Sequence, residues 1–127
     1  MTQTYLNAWN SLKRPVPDWF RDAKFGLFFH WGPYSVPAYK YDWYSRNMYA
    51  KGLPHNLHHE KTYGNLKDFG YKNFYKGMTG AKFDPAAWAD LVIRSGAKYA
   101  GPVSEHSDNF SLWNSRVNPI NSVNYGP

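Results

Sequence analysis

The chain contains no cysteine, which excludes disulfides and thiolate metal sites and leaves the redox compartment open. It is also short of acid: 9 Asp and Glu stand against 15 Lys and Arg, for a formal charge of +6. Such an excess suits an anionic partner when it is clustered. Here the Lys and Arg residues are dispersed and form no run, so a solvated basic surface is expected and a nucleic-acid partner is not. No apolar run approaches the roughly 20 residues of a membrane helix, and the first ten residues carry no signal-peptide pattern. No membrane partner is expected, and the chain is read as cytoplasmic or as a processed secreted or periplasmic form. There is no internal repeat, no Gly-rich phosphate or dinucleotide loop and no Gly-x-Ser-x-Gly elbow. No cofactor is expected.

What is abundant is rings. Hydrophobic residues make up 43% of the chain and aromatics 20%, with 6 Trp, 11 Tyr and 8 Phe. That composition is not a disordered one, and 127 residues suffice for one domain, residues 1–127, with one core. Aromatic cores bury much area per residue but need partners for Tyr hydroxyls and Trp N–H groups. Many rings are therefore expected at half-exposed surfaces such as a groove.

Residues 24–37, Lys-Phe-Gly-Leu-Phe-Phe-His-Trp-Gly-Pro-Tyr-Ser-Val-Pro, organise the reading. A short, largely apolar, aromatic-rich stretch with a Gly-Pro stop predicts a buried strand over 24–29. His30 and Trp31 then stand where the strand emerges, and Gly32-Pro33 imposes a turn. An imidazole and an indole held at a strand end suit a polar, ring-shaped ligand. Upstream, residues 1–16 read as a lead-in segment, Pro15-Val16-Pro17 as extended chain, and residues 18–23 as a short helix. Downstream, residues 39–49 read as loop passing into a short helix, and residues 53–80 as loop-rich, pinned to a core by Phe69, Phe74 and Tyr75.

The clearest helix is predicted over 83–96. Asp84 suits the N-cap, Pro85 the first helical position and Gly96 the C-cap. Trp88, Leu91, Val92 and Ser95 fall at i, i+3, i+4 and i+7 and define one mostly apolar face. A second buried strand follows over 97–103 and ends in Ser104-Glu105-His106-Ser107-Asp108-Asn109-Phe110. Two strands with polar clusters at their ends, the second entered from a helix, indicate a parallel α/β sheet or barrel.

Each cluster has an ordinary and a functional meaning. His30 alone reads as a hydrogen-bonded structural histidine, and its place at a strand end turns it toward binding. Asp42 beside Trp43 is either a surface carboxylate next to a packed indole or an acceptor beside an aromatic platform, an arrangement that suits a sugar. Glu105, His106 and Asp108 either cap a turn or bind sugar hydroxyls and perform general acid–base work. His55 and His59 have the i, i+4 spacing of a helical chelate. With Pro54 and Asn56 beside them and no third ligand, a polar loop is expected and no metal site.

These motifs resemble one family. Residues 25–37 are similar to the opening of the family 29 glycoside hydrolases, the retaining α-L-fucosidases. Asp42-Trp43-Tyr44-Ser45-Arg46-Asn47-Met48-Tyr49 resembles its Glu-Trp-Tyr segment. Phe83-Asp84-Pro85, Trp88-Ala89, Leu91 and Gly96-Ala97-Lys98-Tyr99 resemble its helix and third strand. Residues 105–113 resemble its His-His-Asp-Gly-Phe-x-x-Trp stretch. The resemblance runs from about Pro17 to the last residue. It implies that this chain is the first strands and helices of a (β/α)8-like barrel, truncated or partial, since such a barrel takes about 250 residues.

It further implies that His30, Trp43 and His106 contact fucose, with Trp31 and Asp108 at the same site. Asp42 stands where the family has Glu, so a shorter arm must reach the same hydroxyl. Ser107 replaces the second His of the pair, and Asn109 replaces a turn Gly, a mild change because Asn tolerates positive φ. The family's nucleophile and acid/base lie beyond these motifs. Retaining glycosidases hold two carboxyl groups about 5–5.5 Å apart, and the carboxylates near the strand ends here are Asp42, Glu105 and Asp108. Glu105 and Asp42 are the catalytic candidates. Two functions follow: hydrolysis of fucosylated glycans or aryl fucosides, or fucose binding without chemistry. Open barrel edges favour pairing with further copies of the chain, so a homo-oligomer is expected.

Overall fold

The computed structural model describes residues 3–126. Its frame is a parallel pair of strands, β1 (Gly26–Phe29) and β2 (Tyr99–Pro102), in the register Gly26↔Tyr99, Leu27↔Ala100, Phe28↔Gly101 and Phe29↔Pro102. Lys98 N–H donates to Phe25 O and Val103 N–H to Phe29 O, which extends the ladder at both ends. Parallel strands cannot be joined by a hairpin and need a crossover. Here the crossover holds most of the molecule. Gly26 is required by its neighbour, because a Cβ there would collide with the Tyr99 ring.

The remaining helices are α1 (Gln3–Leu12), α2 (Asp18–Ala23), α3 (Tyr44–Asn47), α4 (Pro54–Tyr63), α5 (Pro85–Arg94) and α6 (Ser122–Tyr125). Two 3-10 turns, Pro33–Ser35 and Tyr71–Gly77, lie between them. The helix expected over 83–96 is α5. The Asp84 carboxylate accepts from Ala87 N–H at 3.0 Å, Pro85 opens the first turn, and Gly96 adopts φ +83°. The expected short helix over 18–23 is α2. Pro17 before it is extended, with φ −57° and ψ 139°.

Four expectations are corrected. Residues 1–16 are not merely a lead-in, since 3–12 form α1, all of it exposed. The strands are half-buried rather than buried: Phe28 is 75% exposed, because no layer covers that side of the two-stranded sheet among the described residues. The apolar face of α5 is only partly used. Trp88 packs edge-on to Phe29 at 5.0 Å, while Leu91 stays exposed. A pair of strands about 4.8 Å apart cannot cover a helix about 10 Å wide. Finally, the loop-rich stretch 53–80 contains α4 and the second 3-10 turn, and it builds the core.

That core is aromatic and lies beside the sheet rather than on it. Tyr34, Tyr44, Met48, Tyr71, Phe74, Tyr75, Met78 and Phe110 form one buried cluster. Its rings meet largely edge-to-face, as Tyr44–Phe74 at 5.8 Å and Tyr71–Phe74 at 6.0 Å, an arrangement that aligns ring edges with π faces. The inward face of α4 is polar: His55, Asn56 and His59 are buried while Leu57 is exposed. Each inward polar group found a partner or a ring. Asn56 Nδ2 donates to Met48 O at 2.9 Å. His59 lies between the Tyr44 hydroxyl, 3.2 Å from Nδ1, and Phe69 O, 2.8 Å from Nε2.

Candidate active site

Alternation along β1 separates the two residues at its end. Trp31 turns toward α5, stacking on Phe83 at 5.0 Å and tilting against Trp88 at 5.8 Å. It lines an apolar cavity of about 660 Å³ with Phe29, Phe83, Trp88, Val92 and Leu112. His30 turns to the polar side. Gly32 follows in an extended conformation, with the Tyr34 ring so close that a Cβ would stand 2.9 Å from it. Tyr34 is thereby buried under the strand end.

The chain then returns through a strained loop. Ala38 at φ 46° and Lys40 at φ 61° both occupy the left-handed region, which costs a residue with a Cβ about 1–2 kcal/mol. Surrounding structure must hold such positions, and they concentrate at functional sites. Tyr39 is clamped by the His58 ring, stacked at 3.8 Å and 4°. The loop delivers Asp42 to the strand ends.

There one oxygen, Asp42 Oδ2, lies 2.8 Å from His106 Nε2 and 3.5 Å from His30 Nε2. The first is a hydrogen bond and the second a looser electrostatic contact. Side-chain exposure grades from 13% for His106 through 24% for Asp42 to 46% for His30, so the cluster has a floor and an open mouth. Rings enclose His106 edge-on: His30 at 5.2 Å, Tyr34 at 5.4 Å and Trp43 at 5.5 Å. Its other nitrogen, Nδ1, is 3.0 Å from Ser107 Oγ. A hollow of about 360 Å³ adjoins, lined by His30, Tyr34, Tyr39, Lys40, Tyr41 and Asp42 among others. That volume lies in the range of small-ligand sites.

The other two carboxylates are engaged elsewhere. Asp108 Oδ2 accepts from the Tyr71 hydroxyl at 2.6 Å, and its Oδ1 accepts from Phe110 N–H at 3.2 Å. Burial, then the Asp108 charge and that hydrogen bond, push the Tyr71 hydroxyl far above its usual range. Burial, then Asp108 and Asp42, raise Tyr34 likewise. Both phenols stay neutral. Glu105 Oε2 accepts from Ser111 Oγ at 2.5 Å, and Ser111, fully buried, also accepts from Asn118 Nδ2 at 2.9 Å. Glu105 thus anchors the segment that ends in α6. It is not among the His and carboxylate atoms gathered within 4.8 Å of one another, which belong to His30, Asp42 and His106. Asn109 sits at φ 58°, the conformation expected where a glycine was replaced.

The structure therefore joins His30, Asp42 and His106, sets Trp43 beside them, and leaves Trp31 on the opposite side of the strand end. Two further participants, Tyr34 and Tyr71, are not among the residues the sequence motifs single out. Tyr34 was signalled by the stiff Gly-Pro-Tyr turn. Tyr71 had no local signal, since its partner Asp108 comes from a distant segment.

Comparison with known proteins bears on this arrangement. A family model described as alpha-L-fucosidase matches residues 1–127. The chain is 37% identical over 135 residues to an alpha-L-fucosidase of Dictyostelium discoideum, covering 99% of this chain and 29% of that protein. It is 38% identical over 126 residues to the tissue alpha-L-fucosidase of Bos taurus, covering 97% and 26%. The structure resembles the crystal structure of Thermotoga maritima alpha-fucosidase in complex with fucose, with a TM-score of 0.83 and 41% identity over 88% of this chain and 28% of that one. The chain thus spans between a quarter and a third of the length of these relatives.

Proposed function

From the premise that this chain belongs to the alpha-L-fucosidase family, we propose that it carries the fucose-recognition part of an α-L-fucosidase acting on fucosylated glycans or aryl fucosides. The observation that carries the reading is the single oxygen Asp42 Oδ2 shared between His106 and His30 at the ends of two parallel strands. Sugar hydroxyls both donate and accept. A carboxylate with one oxygen in use and two imidazoles beside it offers acceptors and donors at hydroxyl spacing. Trp43, 42% exposed beside His106, offers a ring face to the apolar C–H side of a pyranose.

In this reading His30, Asp42, Trp43 and His106 contact the sugar. Trp31 and Asp108 are positioning residues, Trp31 through its stack on Phe83 and Asp108 through Tyr71. The two strands are the beginning of a (β/α)8-like barrel whose ligand lies at the strand C-terminal ends. Hydrolysis proceeds with retention, which needs a nucleophilic carboxylate and an acid/base carboxyl. Asp42 and Glu105 are the candidates this chain supplies. Asp42 faces the sugar site, whereas Glu105 must first be released from Ser111.

The test is titration of L-fucose into the purified chain by calorimetry, with turnover of an aryl α-L-fucoside measured in parallel. Saturable fucose binding with turnover that Glu105→Gln abolishes supports hydrolysis by this chain. Binding without turnover supports the second reading, fucose recognition without chemistry, which the Ser111 hold on Glu105 favours. Absence of fucose binding sinks both.

A further inference from the structure

We infer that His58 on α4 is a positioning residue of the strand-end site: its ring holds Tyr39, and through Tyr39 it keeps Asp42 within reach of His106. The two rings lie face to face, with centroids 3.8 Å apart and planes 4° apart. Tyr39 stands between Ala38 and Lys40, both with positive φ, and three residues before Asp42. A segment held in left-handed conformations relaxes unless its surroundings fix it. Among the described residues neither Tyr39 nor Lys40 takes part in a backbone hydrogen bond, so contacts between rings supply the hold.

Helix α4 is built to give that hold. His55 and His58 are three residues apart and share one face of the helix. His55 meets Tyr39 edge-on at 5.6 Å and Tyr41 at 4.7 Å, so both rings of the loop rest on imidazoles. The helix itself is anchored by Asn56, whose Nδ2 donates to Met48 O and whose Oδ1 accepts from Gly52 N–H at 3.1 Å. His59 anchors it again, at hydrogen-bonding distance from the Tyr44 hydroxyl and Phe69 O. In His55 and His58 alike, Nε2 is buried without a hydrogen-bond partner among the described residues. An unpaired buried nitrogen costs stability, so these two side chains serve as flat rings rather than as hydrogen-bonding groups.

The hold matters because of what it carries. Past Asp42 the chain is fixed, since Tyr44 at the start of α3 is fully buried. Before Asp42, Tyr41 is exposed and the half-buried Tyr39 is the anchor. Released there, the loop can leave its left-handed conformations, and Asp42 Oδ2 then loses the 2.8 Å contact with His106 Nε2. The histidines of α4 thus act on the site from outside it, without touching a ligand. The expected effect on sugar binding rests on the fucose reading above, whereas the hold on Asp42 does not.

The experiment is proton–nitrogen NMR selective for histidine rings, with the His106 signals assigned by their loss in His106→Gln, and calorimetric titration of L-fucose into the same samples. The ring-nitrogen shifts of His106 report whether Nε2 still donates to Asp42. His58→Ala should move them and weaken fucose binding about twofold to tenfold, the range of one aromatic pair, with circular dichroism unchanged. His58→Phe restores a flat ring without nitrogens and should return both readouts to the parent values. Leu57→Ala, on the exposed side of α4, should change neither. Tyr39→Ala removes the same stack from the loop side and should repeat the His58→Ala result, so the test stands even where His58→Ala unfolds α4. His106 signals unchanged in either variant that stays folded overturn the proposal, as does failure of His58→Phe to restore them. A His106 response without fucose binding by the parent chain overturns the sugar reading alone.

Discussion

His106 and Asp42 meet at 2.8 Å across the ends of two structural routes: His106 is carried by the turn after β2, Asp42 by a loop with two left-handed non-glycine residues. Bringing them together is the main structural consequence of the strained loop, and the proposed sugar site rests on Asp42.

Asp42→Asn keeps the shape of the side chain and removes the charge that receives the His106 hydrogen bond. Charge-assisted hydrogen bonds contribute about 1.5–3 kcal/mol, so fucose affinity should fall by about tenfold or more. Asp42→Glu, which installs the residue of the resembled motif, should retain binding. Calorimetric Kd values for the two variants check this, and a D42N chain binding fucose as well as the parent would remove Asp42 from the site.

Tyr71→Phe should act on stability rather than on sugar contacts. It deletes the 2.6 Å donor to Asp108 and leaves a partly buried carboxylate oxygen without it, at a cost of about 1–3 kcal/mol. Urea denaturation should show a lower midpoint with an unchanged slope. An unmoved midpoint would show that water replaces the hydroxyl freely.

Stability should fall at both extremes of pH, for different groups. Burial, then neighbouring tyrosines, push Tyr44 up to about 12, and burial, then Asp108 and Tyr49, push Tyr75 up to about 12. The unfolded chain therefore gives up these protons first. Their contribution is intact below pH 10 and is lost as pH rises from 10 through about 12. Burial, then Lys40 and His58, lower the His55 value below 6.5. The unfolded chain binds that proton first, so stability is full above pH 6.5 and is lost as pH falls through the depressed value. Thermal melts against pH should show both limbs, and His55→Gln should flatten the acid one.

The chain should self-associate. Phe28 at 75%, Ile93 at 72% and Trp9 at 67% exposure place large apolar groups in water on the sheet, α5 and α1. Together with the open edges of a two-stranded sheet, such groups give copies of the chain surface to bury against one another. Light scattering over a dilution series should show mass rising with concentration, and a constant monomer mass would exclude association between copies.

Several features were legible along the chain because their causes are local. Asp84, Pro85 and Gly96 mark α5 through hydrogen bonding at the N-cap, a preset φ and a left-handed stop. Gly32-Pro33 ends the first strand for equally local reasons. The motifs flanking His30, Asp42 and His106 carried the family resemblance, which the family match over residues 1–127 bears out. Helix α4 was illegible for a physical reason: its inward face is His55, Asn56 and His59, so no apolar period exists to be read. Asn56 and His59 are buried because Met48 O, Phe69 O and the Tyr44 hydroxyl arrive from other segments to meet them, and His55 because the rings of Tyr39, Tyr41 and Tyr44 close around it.

The strand-end cluster divides the same way. Composition and motif order determined that His30, Trp31, Asp42, Trp43, Glu105, His106 and Asp108 stand near strand ends in an aromatic α/β chain. Only the tertiary structure decided which of them meet. Alternation at the end of β1 sent His30 to the polar side and Trp31 to α5, strain at Ala38 and Lys40 delivered Asp42, and Ser111 and Tyr71 drew Glu105 and Asp108 into hydrogen bonds of their own. Residue type fixes what a side chain can bond. Which partner it reaches depends on backbone paths that converge from distant segments, and no local spacing encodes that convergence.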